Sequence, residues 1–401
     1  MTKNKNFNSK QENVQLYHTL NFLLLSILLL FIGGCQLTMN DSIHDRKARV
    51  QDFIEKQLQA KNFPGIQYLL LNSNSLLFEF AGGWADVSGK RPMQTGTTIM
   101  MYSMTKVITA AAVLQLVEGV KISLDDPHIK YFPTSPYDRK ITIRHLLSQT
   151  SGIPNPIPLK WVHLAVEHDS FREDSALREV LRKNPKVNFT PGKKYTYSNI
   201  SYWLLGKIIE EVTRKDYASY VREHIFKRLS LPSNEADFVI PSLDNHSKGY
   251  IPKWSFLNFF KSFMVDAKFF GDYEDGWLHV KEHYLNGPAF GGMVGSAHSL
   301  AIFLQDLLRD QPLLFSPETR NLFFEQQKNN KGQPIQMTLG WHIGMMGDFR
   351  YLFKEGGGAG FHGEMRIYPE KNCASVTVAN NTSFNVKKFL NTADQQFWQN
   401  D

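Results

Sequence analysis

Met101-Tyr-Ser-Met-Thr-Lys-Val-Ile-Thr-Ala-Ala-Ala-Val-Leu-Gln-Leu-Val-Glu118 contains the only S-x-x-K of this 401-residue chain, Ser103 and Lys106, where an apolar helix pattern begins. A serine hydroxyl ionises far above neutral pH and attacks only when a neighbouring base takes its proton; a lysine one helical turn on lies on the same face. The positive end of the helix dipole favours an alkoxide and a neutral amine there. Chance supplies about one or two S-x-x-K in a chain of ordinary composition, so the reading as an activated nucleophile depends on what accompanies it.

Two motifs downstream accompany it. Tyr197-Ser198-Asn199 follows the turn Pro191-Gly192 and feeds the apolar run 200–206, while Lys354-Glu355-Gly356 ends a strand pattern and opens Gly356-Gly-Gly-Ala-Gly360. S-x-x-K, Y-x-N and K-x-G in this order, with Leu146-Leu-Ser-Gln-Thr-Ser-Gly152 and Phe290-Gly-Gly-Met-Val294, closely resemble the family of class C β-lactamases, penicillin-binding-protein-like esterases and D,D-peptidases over residues 82–381. The resemblance implies an α/β fold of the α+β type: an antiparallel sheet flanked by N- and C-terminal helices, with an inserted, mainly helical region.

The resemblance also assigns tasks. Ser103 would attack an acyl carbon and form an ester with the enzyme. Lys106 and Tyr197 would form its proton network, a nearby ammonium lowering the phenol's pKa so that Tyr197 acts as a phenolate base. Lys354 would add positive charge beside the phenol, and the amide of Asn199 would orient substrate. Backbone N–H groups of Ser103 and Gly357 would hold the oxyanion; losing one such donor typically raises a barrier by roughly 3–4 kcal/mol. Tyr284-Leu285-Asn286 and His342-Ile343-Gly344 also fit the second and third patterns. Tyr284 lacks the preceding Pro-Gly turn, however, and His342 lies in the strand before the terminal motif.

Three departures stand out, and two of them bear on substrate. Glu355 stands where relatives that bind β-lactams or D-alanyl peptides carry threonine or serine; facing the cleft ionised, it would repel a substrate carboxylate at 4 Å by roughly 4 kcal/mol. Weak or absent β-lactam turnover is therefore expected. Gln149 replaces a histidine frequent in relatives, without a readable consequence. Residues 251–284 hold ten aromatic side chains in 34 positions against 13% for the whole chain, enough to line an apolar acyl pocket, touch a membrane, or form a lid or local core. The expected activity is that of a serine hydrolase acting on small or apolar esters or amides. A β-lactamase or D,D-carboxypeptidase acting on peptidoglycan-type substrates is the second reading, and a non-catalytic cell-envelope binding lipoprotein the third.

Composition narrows the remainder. A polar start with Lys3, Lys5 and Lys10 runs into the apolar segment 20–32 and then Gly33-Gly34-Cys35, the order of an export signal. That segment falls short of the roughly 20 apolar residues a transmembrane helix needs. Ile32-Gly33-Gly34-Cys35 resembles a bacterial lipobox, which implies lipidation of Cys35, a signal peptide over 1–34, a tether over 35–44, and a protein exported and lipid-anchored in the cell envelope, facing the periplasm. Cys373, the other cysteine, sits in an apolar strand pattern and reads as packing. The formal charge of +7 falls to +5 once Lys3, Lys5, Lys10 and Glu12 leave with the signal peptide. That surplus, without an arginine-rich stripe, points to no nucleic-acid partner. H-E-x-x-H is absent, and no metal or other cofactor is expected; G-x-S-x-G is absent too.

Periodicity predicts a helix over 42–60, a hairpin over 66–71 and 76–80, helices over 143–148, 175–182, 202–212, 217–229 and 300–308, strands over 337–345, 350–354, 361–368 and 374–379, and a last helix over 384–398. Strands at both ends with helices between predict one catalytic domain over 45–395. Its sheet part comprises 45–100 and 290–395, and its helical part about 101–289.

Overall fold

A computed structural model describes residues 42–157 and 160–398. The sequence-derived signal peptide, the lipidation site Cys35 and most of the tether lie outside the described residues.

The framework is a seven-stranded antiparallel sheet in the order β4-β5-β6-β7-β1-β2-β3. Its strands are β1 (Gly65–Asn72), β2 (Leu76–Asp86), β3 (Arg91–Pro92), β4 (His342–Met346), β5 (Phe349–Gly358), β6 (Phe361–Tyr368) and β7 (Cys373–Ala379). The β1–β2 hairpin closes on Asn72, whose Oδ1 accepts from the N–H groups of Asn74 and Ser75, the local bond that makes asparagine a turn former. β1 then pairs with β7 from Ile66↔Ala379 to Asn72↔Cys373, so the two ends of the chain meet inside one sheet.

β1 is buried on both faces. On one side Ile66, Tyr68 and Leu70 pack against helices α1 (Ile43–Gln59) and α5 (Val386–Trp398). Ser42 and Asp45 form a capping box that starts α1. On the other side Leu69 and Leu71 join the large core around α2 (Thr105–Glu118), α3 (Asn199–Thr213) and α4 (Ala297–Leu308). α2 is apolar nearly all round because it runs through the middle of that core, and Lys106 is buried within it.

One expectation is corrected. Strand β4 starts at His342 rather than at 337, because Met337, Leu339 and Trp341 plug the core from a turn in which Thr338 and Trp341 bond each other. Their alternation reflects a buried loop, not a pleat. The inserted region is mainly helical, as expected, and also carries short strands. Gly249–Pro252, Phe270–Glu274 and Trp277–Val280 form a three-stranded sheet with the helix Phe256–Met264 beside it, and His283–Leu285 pairs with Val162–Leu164. Ile251, Leu278 and Val280 give this flap its own small core. Conversely, α4 and the helix Pro317–Phe324 fall within the part assigned to the sheet.

Candidate active site

Ser103 stands on a short 3₁₀ turn, Tyr102–Met104, immediately before α2 rather than on the helix itself. Tyr102 has φ of 44°, a left-handed conformation that costs a bulky residue of order 1–3 kcal/mol. Its surroundings hold it there: Tyr102 OH donates to the carbonyl of Ala359 at 2.6 Å and lies 3.0 Å from His283 Nε2. Strand β5 lies directly on this turn. A Cβ added at Gly356 would meet the Met101 carbonyl oxygen at 2.3 Å and the Met104 nitrogen at 2.9 Å, so only glycine permits the approach.

Lys106, Tyr197 and Lys354 converge on the hydroxyl from three separate elements. Lys106 Nζ lies 2.9 Å from Ser103 Oγ and also donates to the carbonyl oxygen of Phe290. Tyr197 OH lies 2.5 Å from Ser103 Oγ. Lys106 Nζ and Lys354 Nζ sit 4.9 and 5.0 Å from the Tyr197 ring centroid. Burial pushes Lys106 well below the ordinary lysine range, with the Lys354 charge adding to it. Burial likewise brings Lys354 down to about 7, against an opposing pull from Glu355. The Tyr197 phenol moves the other way: burial raises it, more than the Ser103 hydrogen bond lowers it. The sequence leaves open which of Lys106 and Tyr197 carries the proton at rest, and burial here works against the phenolate. A site this dry, with no carboxylate bonded to Ser103, Lys106 or Tyr197, disfavours the charged form of the phenol and of the amine.

Asn199 opens α3, is buried and lines the cavity described below; its Oδ1, like Lys354 Nζ, has no hydrogen-bond partner among the described residues. Its backbone N–H donates to Asn155 Oδ1 at 3.0 Å. Gln149 acquires a clear task here. Its Oε1 accepts from Ser198 N–H at 2.7 Å and its carbonyl from Thr196 N–H at 2.8 Å, so it clamps the Tyr197 loop from both sides. Gly357 faces the cavity with Ser103. Glu355 stands outside the cavity lining, half-exposed and accepting from His362 Nε2 at 2.6 Å, a bond that holds its carboxyl below the usual range. Turned to His362, its carboxylate does not face the cavity, so the expected repulsion of a substrate carboxylate there has no geometric basis.

The cavity beside Ser103 has a volume of about 300 Å³. Its walls are largely apolar, from Val162, Leu285 and Phe290 and from the flap residues Ile251, Leu257, Val265, Phe269, Phe270 and Val280; Lys261, His283 and Thr382 are polar points on it. Several contributors escaped the sequence reading. Phe290 acts through a backbone carbonyl, which any residue supplies. Asn155 and Tyr102 belong to no recognised motif. His342, set aside as a K-x-G substitute, stacks on Tyr197 at 6.4 Å between centroids and sits 3.0 Å from Tyr195 OH; burial, then Lys354 and Lys106, push its pKa down to about 2. Tyr284 OH instead accepts from Ile240 N–H, away from Ser103. Cys373 is buried in β7.

A serine held by a buried lysine and a tyrosine, between an antiparallel sheet and a helical region, defines a serine β-lactamase-like protein. Residues 50–396 match the Beta-lactamase family model, and the chain belongs to that family. It is 30% identical over 193 residues to protein flp of Staphylococcus aureus (strain MW2), which covers 47% of this chain and 38% of flp. It is 25% identical over 303 residues to penicillin-binding protein 4* of Bacillus subtilis (strain 168), covering 74% of this chain and 63% of that protein. The chain thus spans less than two thirds of the length of these curated relatives. Among solved structures, D-amino acid amidase from Ochrobactrum anthropi SV3 complexed with D-phenylalanine superposes with a TM-score of 0.71 at 21% identity, covering 88% of this chain and 98% of that one. Among the described residues, no helix is long and apolar enough to cross a membrane, and no cluster of three or more His, Cys, Asp or Glu could hold a metal.

Proposed function

We propose that this protein is an exported serine hydrolase that forms an acyl-enzyme at Ser103 and acts on esters or amides with an apolar acyl group. The observation that carries the reading is the apolar cavity with Ser103 and Gly357 on its wall. Neutral Lys106 accepts the Ser103 proton as Oγ bonds to the acyl carbon, and the carbonyl π electrons move onto oxygen. The N–H groups of Ser103 and Gly357 receive that oxyanion. On collapse the bond to the leaving group breaks, Tyr197 hands it a proton, and the Lys106 ammonium restores the phenol. Water repeats the sequence in reverse to free the acid, so no net proton is gained or lost by the enzyme. Lys354 Nζ and Asn199 Oδ1, buried without partners, are the polar groups a substrate would satisfy.

Those same two groups favour a second reading, a carboxylate-bearing amide or peptide substrate of the peptidoglycan type, because a buried ammonium without a counterion suits an anion. A panel of p-nitrophenyl esters of graded chain length, nitrocefin and a D-alanyl dipeptide separates the two. The ester reading expects kcat/KM to rise with acyl length until the cavity is full, with little nitrocefin turnover. High nitrocefin or dipeptide rates with flat ester rates would replace it by the second reading. Lipidation at Cys35 and anchoring in the cell envelope complete the proposal, and metabolic labelling with an alkynyl fatty acid that persists in Cys35→Ala would remove that part.

A further inference from the structure

We infer that the outer face of the flap helix Phe256–Met264 docks on an anionic lipid bilayer and, resting on the hydrolase reading above, draws its acyl substrate from that bilayer. The helix presents side chains to two sides. Leu257 and Lys261, one turn apart, line the cavity beside Ser103. Phe256 and Phe259 point the other way, and with Trp254 ahead of the helix they are 74%, 78% and 91% exposed. Three large aromatic side chains grouped on one exposed segment form a patch of the kind soluble surfaces avoid.

The charge around the patch selects its occupant. Lys253 stands exposed beside Trp254, Lys261 lies on the cavity side, and the flap's exposed acidic residues, Asp266, Asp272 and Asp275, come after the helix. Lys253 Nζ lies 5.7 Å from the Trp254 ring centroid and 5.5 Å from that of Tyr273, and Lys261 Nζ bonds Asn258 Oδ1 rather than a carboxylate. Exposed tryptophan and phenylalanine with Lys253 beside them match the boundary between acyl chains and anionic headgroups. A bilayer seated there lies one helix diameter, about 10 Å, from the cavity lining. A purely apolar protein partner would leave Lys253 without a role.

The test uses the full chain with vesicles of brominated phosphatidylglycerol or phosphatidylcholine, and isolates Trp254 emission as the difference between wild type and Trp254→Phe. The expected difference signal shifts to the blue and is quenched by about twofold or more with phosphatidylglycerol, less with phosphatidylcholine, and loses its quenching in Phe256→Ser/Phe259→Ser. A Trp254 signal that neither vesicle changes overturns the proposal, including one already shifted in lipid-free protein because residues 20–32 or a second copy cover the helix. This readout needs no turnover, so it survives failure of the hydrolase reading. Substrate delivery is read separately. The double variant should keep its rate on a soluble short ester and lose about tenfold or more on a long-chain ester dissolved in vesicles; equal losses on both overturn delivery.

Discussion

Lys354 is the residue at which function and stability pull apart. Its ammonium is buried among aromatic rings with no carboxylate bonded to it, and burial lowers its pKa from 10.5 to about 7. Below pH 7 the folded state carries the full cost of an interior charge. Between 7 and 10.5 the unfolded chain holds a proton that the folded chain does not, so stability rises with pH across that window. Lys354→Met is therefore expected to be more stable than wild type by roughly 2–4 kcal/mol near neutral pH, with the gap closing toward pH 10. Urea titrations at several pH values check this, and a gap that widened with pH would contradict it. The same titration governs binding. KM for a carboxylate-bearing substrate should climb as pH passes 7 while KM for a neutral ester stays level, and parallel profiles would remove Lys354 from the binding site.

At the scale of elements, strand β5 and the loop around Tyr197 bring Lys354 and Tyr197 up to Ser103. Gly356→Ala puts a methyl 2.3 Å from the Met101 carbonyl, so the strand must lift away from the nucleophile turn. The expected cost is about 1–3 kcal/mol of stability together with a loss of about 100-fold in kcat from displaced geometry. A folded variant with wild-type kcat would show that β5 does not set the site. Gln149→Leu removes the acceptor of Ser198 N–H inside a buried loop and should cost about 1–3 kcal/mol in thermal or urea unfolding, with kcat falling more than KM rises. An unchanged kcat would reduce Gln149 to packing. The sheet and helices around these elements were legible in the sequence because each carries its own period or cap: Ser42 and Asp45 start α1, and Leu69 with Leu71 alternates against Tyr68 with Leu70 in β1. The turn of 337–341 mimicked a strand because its apolar residues alternate for burial alone. The flap was unreadable for the opposite reason: its aromatic residues divide among a cavity wall, a small core and an exposed face, so no single period survives.

At the scale of the molecule, the chain folds so that three motifs separated by up to 251 residues, from Ser103 to Lys354, share one dry site. Motif order carried the site into view, since Ser103, Lys106, Tyr197 and Lys354 all came from recognisable stretches. Their protonation did not follow from order, because it depends on how deeply the fold buries them and on what is bonded nearby. Position on the strand likewise decided Glu355, which the fold turns toward His362 rather than toward the cavity. The whole account turns on covalent attack by one hydroxyl. Intact-mass and peptide mapping after reaction with a fluorophosphonate tests it most directly: the account predicts a single adduct on Ser103, absent in Ser103→Ala and formed at least about 100-fold more slowly in Lys106→Met. No adduct on the folded wild-type protein, or one that persists unchanged in Ser103→Ala, would contradict it.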